Sequence, residues 1–279
     1  MQRLLTAAVG VPLALLAVFR LPGWAFFLLV AFFFGWAALE FLALLRPLAP
    51  RAPWWILHLA APLLAALLAL ATEPELFPRL AGLAPATPHA WFTILGLLAV
   101  LPAIAVLFAR TPVNEAVPAL SLLAWGTLYF AVPVAALCLL QRDPWIFFLL
   151  LAIVWLGDTA AYYVGTTWGR HRLAPVLSPK KSWEGAIAGM LTSIAATAIW
   201  SAWRLGEVRG SWLVVAAATA VAAQLGDLVE SLVKRAAGVK DSGGVLPGHG
   251  GIYDRLDAMF LAAPVLLLGL WWIGHDRPL

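Results

Sequence analysis

Asp227, Glu230, Ser231 and Lys234 fall at i, i+3, i+4 and i+7, so a helix carries all four on one face. Two carboxylates and a hydroxyl are hard oxygen donors. They suit Mg²⁺, which takes one or two carboxylates, keeps several waters and accepts substrate phosphate oxygens. The alternative use of the stripe is a simple i,i+4 ion pair between Glu230 and Lys234. Such a pair contributes only a few tenths of a kcal/mol, too little to explain an aspartate late in an apolar run. Arg235, Lys240 and Asp241 follow, and then Gly243–Gly251, in which five of nine residues are glycine and His249 is embedded. Glycine allows sharp turns and close approach of the backbone to a ligand. The run leads through Gly250 and Gly251 to Asp254, Arg255 and Asp257 at the start of the last apolar stretch, where helix N–H groups can hold phosphate. A flexible loop ending in an aspartate-capped helix would also contain glycine and Asp254. It would not require four cations (Lys234, Arg235, Lys240, Arg255) and three acids in the same segment. The combination points to a phosphate-binding site.

A second polar segment reads Ser178-Pro179-Lys180-Lys181-Ser182-Trp183-Glu184-Gly185. Ser182 and Glu184 resemble a helix start. The paired lysines are either topogenic anchors before a span or a second phosphate clamp facing the first. Upstream, Asp158 interrupts the apolar run Trp155–Tyr163. An aspartate at a span centre costs about 2.5–3.5 kcal/mol on insertion scales. Two such acids, Asp158 and Asp227, near the ends of runs that meet the lysine segments favour a site over headgroup-wetted termini. The chain has no Walker-type phosphate loop, no His-Glu-x-x-His zinc motif and no Gly-x-Ser-x-Gly elbow. Cys138, the single cysteine, can form neither an intrachain disulfide nor a thiolate cage.

The elements that must position these residues follow from composition. Of 279 residues, 63% are hydrophobic and 11% charged, against about 45–50% and about 25% in a soluble domain. Mean hydropathy is +0.92. Those values exclude a disordered chain, a nucleic-acid-binding domain and an ordinary soluble enzyme, and they leave lipid as the solvent. Apolar runs lie near Leu4–Phe19, Trp24–Leu44, Trp54–Ala71, Trp91–Ala109, Val117–Leu140, Trp145–Val164, Gly185–Trp203, Trp212–Val229 and Ala258–Ile273. Tryptophans cluster at their ends, as in an interfacial belt. No run alternates with period two, which argues against a barrel. The basic, apolar start lacks a cleavage signal and reads as a retained first span. The predicted fold class is all-α, a polytopic transmembrane helix bundle of about nine spans with short loops. Residues 1–144 read as a transmembrane scaffold and 145–279 as the catalytic transmembrane region of the same membrane unit.

All four lysines and eight of the fourteen acids fall between residues 158 and 257. With nine spans and the N-terminus on the side of the lysine segments, twelve Lys and Arg lie on that side and six on the other. The positive-inside rule then places both polar segments in the cytoplasm.

Residues Ser231–Asp257 resemble the signature of the phosphatidate cytidylyltransferases, also called CDP-diacylglycerol synthases. The pattern is Ser-x-aliphatic-Lys-Arg, four residues, Lys-Asp, a small-residue stretch to Pro-x-His-Gly-Gly, then Asp-Arg-x-Asp. It is matched without departure at Ser231, Lys234, Arg235, Lys240, Asp241, Pro247, His249, Gly250, Gly251, Asp254, Arg255 and Asp257. Gly157–Tyr162 and Pro179–Gly185 resemble further motifs of that family. The resemblance implies that CTP and phosphatidic acid give CDP-diacylglycerol and pyrophosphate. It implies Mg²⁺ with room for a second cation, and metal ligands at Asp227 and Asp254. The implied substrate contacts include Asp158, Lys180, Lys181, Ser182, Glu184, Ser231, Gly250 and Gly251. His249 is then a donor to a phosphate or to the leaving group. The expected partners are the two substrates and membrane lipid, with no nucleic acid and with room for a homodimer. A bacterial inner membrane suits the short loops. The rival readings are a CTP-dependent polyprenol or phytol kinase, which would release CDP, and a transporter, against which the absence of related halves argues.

Overall fold

The computed structural model describes residues 2–72, 100, 102–243 and 250–274. In chain order the helices are α1 (Gln2–Arg20), α2 (Gly23–Leu45), α3 (Trp55–Thr72), α4 (Val113–Leu140), α5 (Pro144–Thr167), α6 (Trp183–Leu205), α7 (Gly210–Ala236), the short α8 (Tyr253–Leu256) and α9 (Met259–Trp272). Two short strands, β1 (Arg172–Ala174) and β2 (Ser178–Ser182), pair antiparallel between α5 and α6. The protein is therefore an all-α polytopic chain. Among the described residues, six helices are long and apolar enough to cross a membrane, and two shorter apolar helices cover Gly10–Arg20 and Trp55–Leu70. Eight of the nine apolar runs coincide with helices. The ninth, Trp91–Ala109, lies in part outside the described residues, and its residues 100 and 102–108 are helical.

Helical structure follows from the solvent. Lipid offers no partner to a backbone N–H or C=O, so each span closes its own hydrogen bonds. The ends are set by local chemistry. Asp143 caps α5, accepting from the N–H groups of Trp145 and Ile146 at 2.9 and 3.3 Å, and Pro144 occupies the first turn. Gly206, at φ 75°, ends α6 in the left-handed region.

The chain forms two compact units. The first comprises residues 1–10, 20–139 and 241–254. Its core is aromatic. Phe41 of α2 lies edge-on to Phe130 of α4 and to Tyr253, with centroids 5.3 and 5.9 Å apart, and the Tyr253 hydroxyl donates to that of Tyr129 at 3.4 Å.

The second unit comprises residues 11–19, 140–240 and 255–279. Here α5 packs on α6 through small residues. A Cβ placed at Gly189 would lie 2.7 Å from the Gly157 carbonyl oxygen, and one at Gly185 would lie 2.6 Å from that of Ala161. Ser193 of α6 donates across the seam to the Ile153 carbonyl at 2.8 Å. This is the close, hydrogen-bonded packing that replaces hydrophobic drive where the solvent is itself apolar. α7 packs on α6 and on α9, and Gln224 of α7 donates to the Ala186 carbonyl of α6 at 3.0 Å.

The seam predicts that Gly189→Leu lowers stability by about 1–3 kcal/mol through overpacking. Gly210→Ala, where nothing lies within 4 Å of an added Cβ, should be near neutral. Thermal melts of both variants in detergent check this, and a Gly189→Leu protein melting with the wild type would refute the packing argument.

Candidate active site

The second unit places three polar elements around one cavity. Asp158 comes from the later turns of α5, Lys180, Lys181 and Ser182 from β2, and Asp227 from α7. The β-hairpin was not foreseen in the sequence, where this stretch read only as a polar segment before a helix. Arg172 pairs with Ser182 and Ala174 with Ser178, with an irregularity of register between the two pairs. Along it Lys180 is exposed and Lys181 half-buried. Ser182 then caps α6 by accepting from the Gly185 N–H at 3.2 Å, so its hydroxyl serves the helix start. Glu184 accepts from the Arg170 and His171 N–H groups and pairs with His171 Nδ1 at 2.6 Å, which fixes the turn leading into β1.

The cavity measures about 260 Å³. That is slightly under the roughly 300–1,000 Å³ of a complete small-molecule site, a size for part of a ligand. Gly165 and Gly185 line it as well. A larger cavity of about 650 Å³ in the first unit is walled by apolar side chains such as Trp55, Leu59, Leu63 and Phe108. The small cavity, not the large one, brings ionisable groups together.

Lys181 Nζ stands 2.5 Å from Asp227 Oδ2, with both side chains about a quarter exposed. One turn on, Glu230 is buried and pairs with Lys234 at 2.8 Å. The i,i+4 pair is thus formed, and it occurs alongside the carboxylate stripe rather than in place of it. Asp257 completes the group. Oxygens of Asp227, Glu230 and Asp257 lie within 4.8 Å of one another. Gly226 makes this approach possible, because a Cβ there would lie 2.5 Å from the Asp257 carbonyl oxygen. Adjacent ligands of an octahedral Mg²⁺ at about 2.1 Å stand about 3 Å apart, and opposite ones about 4.2 Å. Three carboxylates gathered this closely, with no sulfur or imidazole among them, are the donor type that ion takes. The ammonium groups of Lys181 and Lys234 hold two of these carboxylates. Without a metal the group therefore has partial charge compensation already built in.

Other basic residues have definite places. Arg235 donates to the Leu177 carbonyl at 3.4 Å and to the Val239 carbonyl at 3.0 Å. It ties the hairpin turn to the end of α7, so part of its hydrogen-bonding capacity is structural. Lys240, Asp241 and Arg255 are exposed, and Ser231 is buried on α7. His249 lies outside the described residues.

Asp254 belongs to the first unit. Its Oδ2 accepts from the N–H groups of Ser242 at 3.1 Å and Gly251 at 2.8 Å, closing the neck of the glycine-rich loop. Gly250, at φ 75°, sits where a Cβ would lie 2.5 Å from that same oxygen, so glycine is required there on both counts. The sequence reasoning missed Glu40. Buried in α2 of the same unit, Glu40 accepts from the Ser242 hydroxyl at 2.9 Å, from the Ile252 N–H at 3.1 Å and from the Tyr253 N–H at 2.9 Å. The signal was available. An acid within the 23 residues of α2 carries the insertion cost that marked Asp158 and Asp227.

The chain was compared with known proteins. The profile of the cytidylyltransferase family matches residues 1–272. Over 223 residues the chain is 36% identical to the phosphatidate cytidylyltransferase of Brucella suis biovar 1, an alignment covering 75% of this chain and 80% of that protein. It is 39% identical over 132 residues to the phosphatidate cytidylyltransferase of Haemophilus influenzae, covering 44% of this chain and 46% of that one. It is 40% identical over 119 residues to that of Mycobacterium bovis, covering 43% and 39%. The last two alignments each span less than half of the relative's length.

The carboxylate geometry predicts that Asp227→Asn and Asp257→Asn each weaken Mn²⁺ binding by roughly tenfold or more. Asp143→Asn, at the cap of α5, should leave it unchanged. Electron paramagnetic resonance of free Mn²⁺ during titration reads this directly, and wild-type affinity in both of the first two variants would remove the cluster from consideration as a metal site.

Proposed function

This chain belongs to the cytidylyltransferase family, and on that premise we propose that it transfers the cytidylyl group of CTP to phosphatidic acid. A phosphate oxygen of the lipid forms a bond to the α-phosphorus of CTP. The bond from that phosphorus to the oxygen bridging to the β-phosphate breaks, and pyrophosphate leaves. CDP-diacylglycerol is the lipid product. The observation that carries the reading is the joining of Asp158, Lys180, Lys181 and Asp227 around one cavity, on a chain whose Ser231–Asp257 segment matches the family's signature in full.

The lipid phosphate is already an anionic nucleophile, so the site needs no strong general base. Its task is to bring two anions together and stabilise charge on the leaving pyrophosphate. Lys180 and Lys181 supply cationic charge at the cavity, and Lys234 supplies it two turns beyond Asp227 on α7. Arg235, Lys240 and Arg255 add exposed cations to the same signature. Asp227, Glu230 and Asp257 would hold Mg²⁺, with Asp254 a further ligand by family resemblance and room for a second cation. The metal would neutralise phosphate oxygens as a Lewis acid. A cation held at Asp227 would compete with the Lys181 ammonium that now pairs with it, leaving that ammonium available to a phosphate. His249 is a donor to a phosphate or to the leaving group.

The reading extends to placement. The protein is an integral membrane protein with nine crossings, its two lysine segments in the cytoplasm and its catalytic residues after position 145. The setting is a bacterial inner membrane, and a homodimer is compatible with it. A lipid kinase using CTP would need a similar pocket but a different product, and no observation favours it.

Purified protein in mixed micelles with CTP, phosphatidic acid and Mg²⁺ should release pyrophosphate and form lipid-linked cytidine in equal amounts, with both lost on chelation by EDTA. CDP in place of pyrophosphate, with a lipid alcohol as acceptor, would transfer the protein to the kinases. For topology, Cys138 replaced by serine gives a background for Ser178→Cys and Ser211→Cys. A membrane-impermeant thiol reagent should label Ser178→Cys only in inverted vesicles and Ser211→Cys only in intact cells. Labelling of both from one side would overturn the span count.

A further inference from the structure

We infer that Glu40 is a positioning residue for turnover: from within α2 its carboxylate fixes Ser242, Ile252 and Tyr253, and through them the placement of Gly250, Gly251 and Asp254 toward CTP. This rests on the reading above that these three signature residues meet the phosphate-bearing substrate or its metal.

The argument is one of donors and space. Each of Glu40's carboxylate oxygens is engaged from the loop. Oε1 takes the Ile252 N–H at 3.1 Å, and Oε2 takes the Tyr253 N–H at 2.9 Å and the Ser242 hydroxyl at 2.9 Å. These donors come from both ends of the loop, more than 200 residues along the chain from Glu40. Hydrogen bonds to a carboxylate are about twice as strong as neutral ones. Burial keeps water from competing for them, since Glu40 is 7% exposed and Tyr253 fully buried. The backbone is shaped around the carboxylate. A Cβ at Gly243 would meet Glu40 Oε1 at 2.9 Å, and a Cβ at Gly251 would collide with Oε2. Two of the loop's glycines are therefore small because Glu40 is there, not for conformational freedom, as neither has a positive φ. Asp254 closes the neck from within the loop segment, through Ser242 and Gly251. Glu40 adds the anchor from outside it. The ring packing of Phe41 on Tyr253, with centroids 5.9 Å apart, holds the neighbouring side chain of α2 against the same segment.

Among the described residues, the hydrogen bonds of the Glu40 carboxylate run to Ser242, Ile252 and Tyr253. Glu40 does not line either cavity described above. Residues Gly250, Gly251 and Asp254 need a fixed backbone to meet a phosphate-bearing substrate, because misplacement by about 1 Å can cost about 10²-fold in rate. A carboxylate accepting from three donors at once supplies that fixity.

The test uses the full chain in detergent. Glu40→Gln keeps shape but replaces one accepting oxygen with a donor. It should raise KM for CTP about tenfold and lower kcat about 10- to 100-fold, with helical content and thermal midpoint near wild type. In the same protein without substrate, hydrogen exchange across residues 250–254 should accelerate at least tenfold, while exchange in α5–α7 stays unchanged. A merely structural role would lower the folded fraction and raise exchange everywhere, with KM unaltered in the surviving molecules. Wild-type KM and wild-type exchange in Glu40→Gln would overturn the inference. Should that variant fail to fold, Ser242→Ala and Gly251→Ala decide. The first removes one donor, and the second leaves Glu40 in place but pushes a methyl group into it. Both should show the same local exchange and KM signature, and wild-type values in both would overturn the inference. If the wild-type protein forms no lipid-linked cytidine, the functional reading fails. The exchange measurement, which needs no substrate, still decides whether Glu40 holds the loop.

Discussion

A carboxylate carried on a helix surrounded by lipid has to be met by donors or cations, because its desolvation is not repaid by water. The described part of this protein is organised around that constraint. Asp227 is met by Lys181, Glu230 by Lys234, and Glu40 by one hydroxyl and two backbone N–H groups. The pairings at Asp227 and Glu40 join chain segments that the hydrophobic pattern alone would leave independent. The ion pair at Asp227 brings a β-hairpin to the later turns of α7. The hydrogen bonds at Glu40 bring the residues flanking a loop to the later turns of α2. Burial of polar groups thus specifies tertiary arrangement in a chain where apolar contact with lipid or with protein is nearly equivalent.

Small residues make these approaches geometrically possible. Gly157, Gly185 and Gly189 let α5 and α6 close to backbone distance. Gly226 does the same for α7 and the segment at Asp257. Gly157, Gly185 and Gly226 each adjoin an acid assigned to the site: Asp158, Glu184 and Asp227. The same side chain missing from Gly243 and Gly251 makes room for Glu40. Glycine in the loop therefore serves two purposes. Gly250 occupies the left-handed region, whereas Gly243 and Gly251 leave space for a carboxylate.

The metal-competent group illustrates how such a site is held before substrate arrives. Three carboxylates close together would repel one another strongly in a poorly solvated place. Two lysines reduce that repulsion, and a divalent cation arriving with a nucleotide would compete with ammonium groups rather than enter an uncompensated hole. On the proposed function, such a cation would displace an ammonium group and leave it beside the nucleotide's phosphates.

Much of this was legible in the residues. Long apolar runs point to membrane helices, since lipid leaves the backbone few other ways to satisfy itself; eight of the nine runs coincide with helices, and among the described residues six helices are long and apolar enough to cross. The stripe Asp227–Glu230–Lys234 followed from helical periodicity, because i, i+3 and i+7 share a face whatever the helix packs against. The signature segment also announced its chemistry, as glycine, lysine and aspartate in that order have few other uses. What required the tertiary structure were the relations between distant segments. The partnership of Lys181 with Asp227, the inclusion of Asp257 in the carboxylate group and the β-hairpin under Lys180 depend on how close the backbones come. The role of Glu40 could not be read at all from the first half of the chain. Its hydrogen-bond donors lie more than 200 residues away, and a one-dimensional pattern records that an acid is costly without recording what meets it.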